Sequence, residues 1–544
     1  MVQYLNNGAS GFEQFKAARA AKTDDGKPKF SSVLTWIVIV ALGGWLIYSW
    51  MMPNTKNEKR ETKDEIAAAQ VDDISKVPAA TLDGKLLTAR VQGLRLSQIQ
   101  LKDFKEKKVG DQLVTLLSGD REFAEFGFSG NGTTFPTATT VWSPVKTETN
   151  DGAMHFSWTS PEGVVFNRII SISGDSVVQI KDMVKNNGKV PVTLSPYARI
   201  VRAAEVKNQV GVKTGGIAFA NDRIEREDWK YLTKHPQSYQ TAGGFVGFTD
   251  QYWQTVARIA GSSAADETMR LRQRADGMYQ ADVAPDTQTI APGAEYTWTS
   301  SLYAGAKTQS NLGAAAAVIP GIDQTIDYGW FWFLARPMLW ALTALVGFVG
   351  NYGVAIILFT ILLRILMWPL TKKSFTGMAA MQRMQPEMAR IQKTYANDKL
   401  RMQSEMTALY KRHGANPMSG CLPMLLQIPI FFALYKALLI SVPMRQASFL
   451  WITDLSVMDP LFILPIIMGA TMWLQQYQQT SYNKMTTAAN DANNPMAQTQ
   501  KFMKWMPILF TVMFAMMPAG LVLYWAVSNL FGIGQMWWIK KSNK

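Results

Sequence analysis

From about residue 85 to 305, apolar and polar positions alternate in short runs. TARVQGLRLSQIQL, GAMHFSWTS, GVVFNRIISI and DSVVQIKDMV are among them, bounded by Gly, Asn, Asp and Pro. Alternation of period two with breakers at this spacing predicts many antiparallel strands stacked as a large β-sandwich. HFSWTSPEGVVF predicts one of its hairpins, with the turn at Pro161, Glu162 and Gly163. Outside this block the pattern changes. Residues 33–52, 353–370, 421–441, 461–479, about 505–517 and 521–539 are mostly apolar and predict six membrane spans. The first, VLTWIVIVALGGWLIYSWMM, is long for a signal-peptide core. No small-x-small cleavage site follows it, so it predicts an uncleaved anchor.

Charge turns these runs into a topology. The net charge is +14, yet residues 53–325 hold 31 Lys+Arg against 31 Asp+Glu, and the other residues hold 24 against 10. The basic excess therefore accompanies the apolar runs, which points to membrane orientation and away from a nucleic-acid surface. Five Lys/Arg precede the first run, nine lie in loop 371–420, three in loop 480–504 and three in the tail. Loop 442–460 has only Arg445. These counts place both termini inside and the sandwich outside. A further apolar run, DYGWFWFLARPMLWALTALVGFV at 327–349, would put the nine-charge loop outside if it crossed. It is read as an amphipathic helix lying on the outer surface, with Arg336 toward the headgroups. The organisation expected is an extension 1–32, an anchor 33–52, a linker 53–84, the sandwich 85–325, an interfacial helix 326–350 and a helical core 351–541.

Little enzymatic chemistry is visible. The single Cys421 permits no internal disulfide, and His155, His235 and His413 are scattered singly. No GxxxxGK[ST] loop occurs, so nucleotide hydrolysis is not expected to drive the work. The candidate of interest is Arg364, a cation in AIILFTILLRILMWPL, a run with no acidic residue. One reading is that it snorkels to the inner headgroups past Pro369. The other sets it in a hydrated indentation. Thr360 lies one turn before it, and Gln427, Gln475, Gln476, Ser528 and Asn529 supply amides and hydroxyls in other spans. Amides holding helices together is the plainer role for some of these. Loop 371–420 predicts a helical hairpin at 374–413, broken at Ala396, Asn397 and Asp398. One face holds Met378, Met381, Met388, Met402 and Met406. Such a face is either a seam between helices or an adaptable surface for clients or ribosome.

At this point DYGWFWFLARPMLW, GNYGVAIILFTILLRILMWPLTKKSF, MQPEM, ALYKRHGANPMSGCLPMLLQIPIFFALYKALL and MPAGLVLYWAVSNL can be read together. Over residues 302–539 they resemble the YidC-type membrane protein insertases of Gram-negative bacteria (the YidC/Oxa/Alb family). GGFVGFTDQYW at 243–253 resembles the family's periplasmic domain. The resemblance implies a mixed fold: an α-helical multipass membrane domain of six spans, a five-span insertase core plus the N-terminal anchor. To this is added a large periplasmic antiparallel β-super-sandwich. It implies insertion and folding of client proteins in the bacterial inner membrane, alone or with the Sec translocon, through a groove open to cytoplasm and lipid. Arg364 matches the family's groove arginine. Thr360, Tyr524 and Trp525 match groove positions that meet substrate, although a Tyr is frequent where this chain has Trp525. The implied partners are nascent membrane proteins, the Sec translocon, the ribosome and membrane lipids. No cofactor, metal or specific nucleic-acid recognition is expected, and the chain is not expected to be an enzyme. The tail KKSNK is short, so ribosome contact would fall to loops 371–420 and 480–504. Two alternatives stand beside this. An anion channel or solute transporter lined by Arg364 is opposed by the absence of inverted repeats and paired broken helices. A sugar-binding or sugar-modifying periplasmic domain is opposed by the absence of clustered His and carboxylates in 85–305.

Overall fold

The computed structural model describes residues 73–118, 121–145, 152–174, 176–204, 211–260, 267–413, 422–481 and 495–542. The extension 1–32, the anchor 33–52, most of the linker 53–84 and Cys421 lie outside them.

Two antiparallel sheets form the first part. The ten-stranded sheet runs β1 (Ala79–Asp83), β2 (Leu87–Gln92), β3 (Arg95–Lys105), β5 (Phe123–Asn131), β10 (Val192–Arg202), β17 (Tyr279–Pro285), β16 (Glu267–Gln273), β13 (Gln237–Thr241). β4 (Leu113–Leu116) pairs with β3, and β18 (Gln288–Ile290) with β10. The nine-stranded sheet runs β12 (Arg223–Asp228), β11 (Gly215–Ala220), β14 (Phe245–Thr249), β15 (Trp253–Ala260), β19 (Glu295–Ala306), β9 (Val177–Asn186), β8 (Val164–Ser173), β7 (Met154–Thr159), β6 (Ser143–Pro144). β1 falls inside the stretch expected as linker. Its residues AATLD are too few to show a period, and pairing with β2 makes them a strand.

Alternation explains the packing. Ala198 and Ile200 of β10 face the core, as do Ala281 and Val283 of β17, while the residues between them point to the other face. Phe126, Phe166, Phe248 and Trp298 are almost fully buried, each contributing about 1.5–3 kcal/mol of transfer free energy. A buried ion pair within the nine-stranded sheet also reaches the other sheet by a hydrogen bond. Arg168 on β8 faces Asp182 on β9, bonds it at 2.7 and 2.9 Å, and donates to the Phe126 carbonyl of the other sheet at 2.9 Å. At the β7–β8 hairpin, Gly163 adopts a φ of 89° and donates to the Ser160 carbonyl, while Ser160 Oγ accepts from Val164 N.

The chain then becomes helical: α1 (Trp229–Leu232) and α2 (Gln309–Ala315) within the sandwich region, then α3 (Trp332–Val349) and α4 (Tyr352–Leu366). The corner between α3 and α4 follows from two residues. Gly350 closes α3 in the left-handed region, and Asn351 caps α4, accepting from Gly353 N and Val354 N. Gly353 admits the Phe449 ring, which a Cβ at that position would strike. α5 (Trp368–Arg383) follows after a 57° bend. Pro369 sits just past that bend, where its missing N–H has no helical acceptor to lose. The apolar run expected as a span at 353–370 is bent within its length. The straight part has 15 residues, roughly 22 Å, because the proline starts a new helix.

The remaining helices are α6 (Gln385–Thr394), α7 (Lys399–Arg412), α8 (Leu422–Ile440), α9 (Ile463–Ser481), α10 (Pro495–Phe514) and α11 (Ala519–Ser542). Among the described residues, α3 is the one helix of at least 18 residues apolar enough to cross a membrane by length and composition. The bent pair α4 and α5 together also passes. α3 buries Ala335, Met338, Leu339 and Leu342 on one face. Its open face carries Trp332, Phe333, Trp340 and Phe348, with Arg336 and Thr343 as its polar members. The amphipathic description is corrected accordingly: α3 is sided by its packing, and its open face is largely apolar.

The sandwich is joined to the helices by polar contacts. Lys436 on α8, 4% exposed, donates to Asp327 Oδ2 at 2.8 Å and to the Gly211 carbonyl at 2.6 Å. Gln251 donates to the Leu439 carbonyl at 2.9 Å. Arg445 and Gln446 donate to the carbonyls of Lys105 and Glu106. Burial would raise the Asp327 pKa, but the charge and hydrogen bond of Lys436, with Arg226 nearby, hold it below the usual carboxylate range. Burial lowers the Lys307 pKa to about 8 against the pull of Asp250.

Candidate functional site

Arg364 lies near the end of α4, three residues before the bend. Its Nε donates to Ser528 Oγ on α11 at 2.7 Å, and a second guanidinium nitrogen donates to the same oxygen. Among the described residues no carboxylate pairs with it. The side chain turns across the bundle to α11, which the snorkelling reading does not require.

The α11 face that receives it is built by helical spacing. Tyr524, Ser528 and Gln535 fall on one side, and all three are nearly fully buried. Tyr524 OH accepts from Gln427 Nε2 of α8 at 2.8 Å. Beside them Asn529 donates to Thr471 Oγ1 of α9 at 3.3 Å and to the Met468 carbonyl at 3.5 Å. Gln475 packs against Gly532, where a Cβ would come within 2.7 Å of its amide nitrogen. Gln535 Oε1 and Gln478 Oε1 are buried without a hydrogen-bond partner among the described residues. A row of hydroxyls and amides thus runs between apolar helices, with unsatisfied oxygens that water would serve well.

The comparisons with known proteins belong to this geometry. The family described as 60Kd inner membrane protein matches residues 344–544, and the YidC periplasmic domain matches residues 79–341, starting at the first residue of β1. A membrane protein insertase YidC of Granulibacter bethesdensis is 34% identical over 496 residues, covering 83% of this chain and 84% of its own. That of Pelobacter propionicus is 35% identical over 474 residues, covering 83% and 84%. The chain belongs to the YidC membrane protein insertase family. That of Aeromonas hydrophila is 39% identical over 393 residues, covering 70% and 68%. A solved YidC insertase aligns over 93% of this chain and 99% of its own, at 15% identity and a TM-score of 0.34. The family inserts membrane proteins, and its members are inner-membrane proteins with a periplasmic domain, here the sandwich.

Arg364 bonds Ser528 and Gln427 bonds Tyr524, two pairs one turn apart along α11, whereas on the flank Asn529 of α11 reaches α9 and Gln475 of α9 packs on Gly532 of α11. Thr360 is fully buried and its hydroxyl donates to the Ile356 carbonyl of its own helix at 2.6 Å, so no part of it lies open to a client. Trp525 is half-buried against Phe431, Phe510 and Phe514. The Met-rich hairpin face is corrected at two positions. Met388 is buried with Met384 and Leu409, and Met406 packs on them, because α6 and α7 close on each other there. That is a seam between helices, with little of Met388 left for a partner. Met402 is half-buried, and the Met381 side chain lies outside the described residues.

Three polar positions had not been noticed in the sequence. Gln535 continues the Tyr524–Ser528 spacing and could have been found by extending it. Thr471 falls within an apolar run at a turn's distance from Gln475. Lys436 is a second cation within the run 421–441. Unlike Arg364, it has a carboxylate partner, Asp327.

Proposed function

We propose that this chain inserts clients along the polar row that begins at Arg364, and that the cation serves the client's translocated flank. The observation that carries this reading is the setting of Arg364. It is a half-buried guanidinium among apolar helices, bonded to one neutral hydroxyl and to no carboxylate among the described residues. A permanently paired arginine would have little left for a transient anion. The barrier to insertion is the transfer of polar groups through hydrocarbon, and a hydrated row of amides and hydroxyls lowers it by solvating the flank partway. The cation attracts acidic residues, and a membrane potential positive outside pulls them in the same direction. The client's apolar helix leaves sideways into lipid. No covalent bond is made or broken. The short straight part of α4 favours a locally thin bilayer.

In this reading six spans cross the membrane, both termini are cytoplasmic, and α3 lies in the outer interface with its tryptophans at headgroup level. Loops 371–420 and 480–504 then carry the basic charge facing the ribosome, and clients also arrive from the Sec translocon. Single-cysteine variants on a Cys421→Ser background test the topology. Positions in 371–413 are expected to react only from the cytoplasm and positions in 79–320 only from outside. Reaction of the basic loop from outside would overturn it, making α3 a span.

Contact with clients is tested by photo-crosslinking of stalled membrane-protein chains. A reactive side chain at Gln427 or Trp525 is expected to capture the client. One at Ile466, 62% exposed, is expected to face lipid and capture little of it. Equal capture at Ile466 and Gln427 would contradict a path along the polar row.

A further inference from the structure

The ten-stranded sheet has a second face, turned away from the sandwich core. Leu96, Ala124, Ala198, Ala281 and Leu271 face inward. Their neighbours therefore face the other way, and strand register lines them up. Arg95 lies opposite Glu125, Glu125 opposite Arg199, Arg199 opposite Asp282, and Asp282 opposite Arg270. One step along, Arg272 lies opposite Gln280. An alternating row of this kind could be a cross-strand ion ladder and nothing more. The distances argue otherwise.

Both carboxylates in the row already take shorter bonds. Glu125 accepts from Arg95 at 2.7 Å and from the Tyr197 hydroxyl at 2.9 Å. Asp282 accepts from Gln280 at 2.6 Å. Arg199 and Arg272 are left at 3.7 Å from Glu125 and 4.0 Å from Asp282. The Nε atoms of both are buried and have no hydrogen-bond partner among the described residues. Nearby, Arg121 and Arg274 both contact Asp276, at 2.8 and 3.2 Å. The field they make is felt locally. Burial lowers the Arg274 pKa, and the charges of Arg199, Arg121 and Arg272 lower it further against Asp276.

We propose that this face of the sandwich holds a binding site for an oxyanion, a phosphate or carboxylate group of a ligand, seated between Arg199 and Arg272. Guanidinium groups suit the task because they present planar donors that match a phosphate or carboxylate. A bound oxyanion would meet the open part of each guanidinium, the side chains of Arg199 and Arg272 being 17% and 21% exposed, and relieve the repulsion among the arginines. The site is separate from the Arg364 row and makes no demand on insertion.

The test uses the full chain in non-ionic detergent, its thermal unfolding followed while inorganic phosphate replaces chloride at constant ionic strength. A saturable rise in the midpoint of a few degrees is expected for the wild type, as for any ligand that binds the folded state alone. In Arg272→Gln the rise should vanish or need at least tenfold more phosphate. Arg272→Lys, which keeps the charge and loses Nε, should fall between. Arg199→Gln provides a second variant should Arg272→Gln fail to fold. A parallel arm replaces phosphate with dihexanoyl phosphatidylglycerol, against dihexanoyl phosphatidylcholine. If only the anionic lipid acts, and acts through Arg272, the oxyanion is a headgroup; if phosphate acts as well, it is a soluble one. A response to phosphate no greater than to chloride, with none to the anionic lipid, would sink the proposal. So would a folded Arg272 or Arg199 variant that responds like the wild type.

Discussion

Asp327→Ala should destabilise the joined sandwich and helices by about 3 kcal/mol or more, the cost of breaking a buried ion pair by removing one partner. The Lys436 side chain is 5% exposed and the Asp327 side chain 31%. Removal of the aspartate leaves an ammonium buried with the Gly211 carbonyl as its remaining partner. Removal of the lysine leaves a carboxylate that water reaches more easily. Lys436→Met is therefore expected to cost less than Asp327→Ala. The double variant, with neither charge, should recover most of the loss. The folded carboxyl titrates below its ordinary value, so the pair contributes fully at neutral pH. That contribution fades as pH falls below about 4. Denaturant unfolding of the four proteins in detergent, monitored at neutral pH, measures the cycle. Additive losses in the double variant would show that the two residues do not act as a pair.

The sandwich was legible because its signal is local. Strands such as GVVFNRIISI alternate residue by residue, and one face must meet the core. Apolar runs of spanning length were visible for the same reason, and the motifs around Arg364 and Tyr524 carried the family. What the sequence hid depends on contacts between distant segments. The partner of Lys436 is 109 residues away. Nothing in FFALYKALL distinguishes a paired lysine from one that snorkels. The row from Arg95 to Arg270 spans five strands whose order, β3-β5-β10-β17-β16, is not sequential. The bend after Leu366 was half-visible. Pro369 marks a boundary, but an apolar run that continues through it gives no reason to stop a span there. Met388 shows the converse, since helical spacing identified a face and left open whether that face meets a partner or its own hairpin.

The central claim is that Arg364 acts on the client's charge. Two unit charges about 4 Å apart attract by about 1 kcal/mol in bulk water and about 4 kcal/mol at the effective permittivity near a protein surface. A wet, half-buried site lies between these limits. Loss of the cation is therefore expected to cost on the order of tenfold in insertion of a client with an acidic translocated flank. Ser528→Ala, which removes a neutral partner and keeps the charge, should cost much less. Arg364→Lys should retain much of the activity, because diffuse attraction needs a cation more than a guanidinium fork. If the arginine only reached for headgroups, Arg364→Ala would be harmless or stabilising, since an isolated charge near hydrocarbon is a net cost. The decisive measurement is in vivo insertion of one client in two versions, acidic and neutral in the translocated segment, by wild-type, Arg364→Ala and Arg364→Lys proteins. The account predicts that the alanine variant loses about tenfold more with the acidic version than with the neutral one, and that lysine restores most of the difference. Equal losses for both versions would contradict it, leaving Arg364 to hydrate or hold the bundle and not to meet the client's charge.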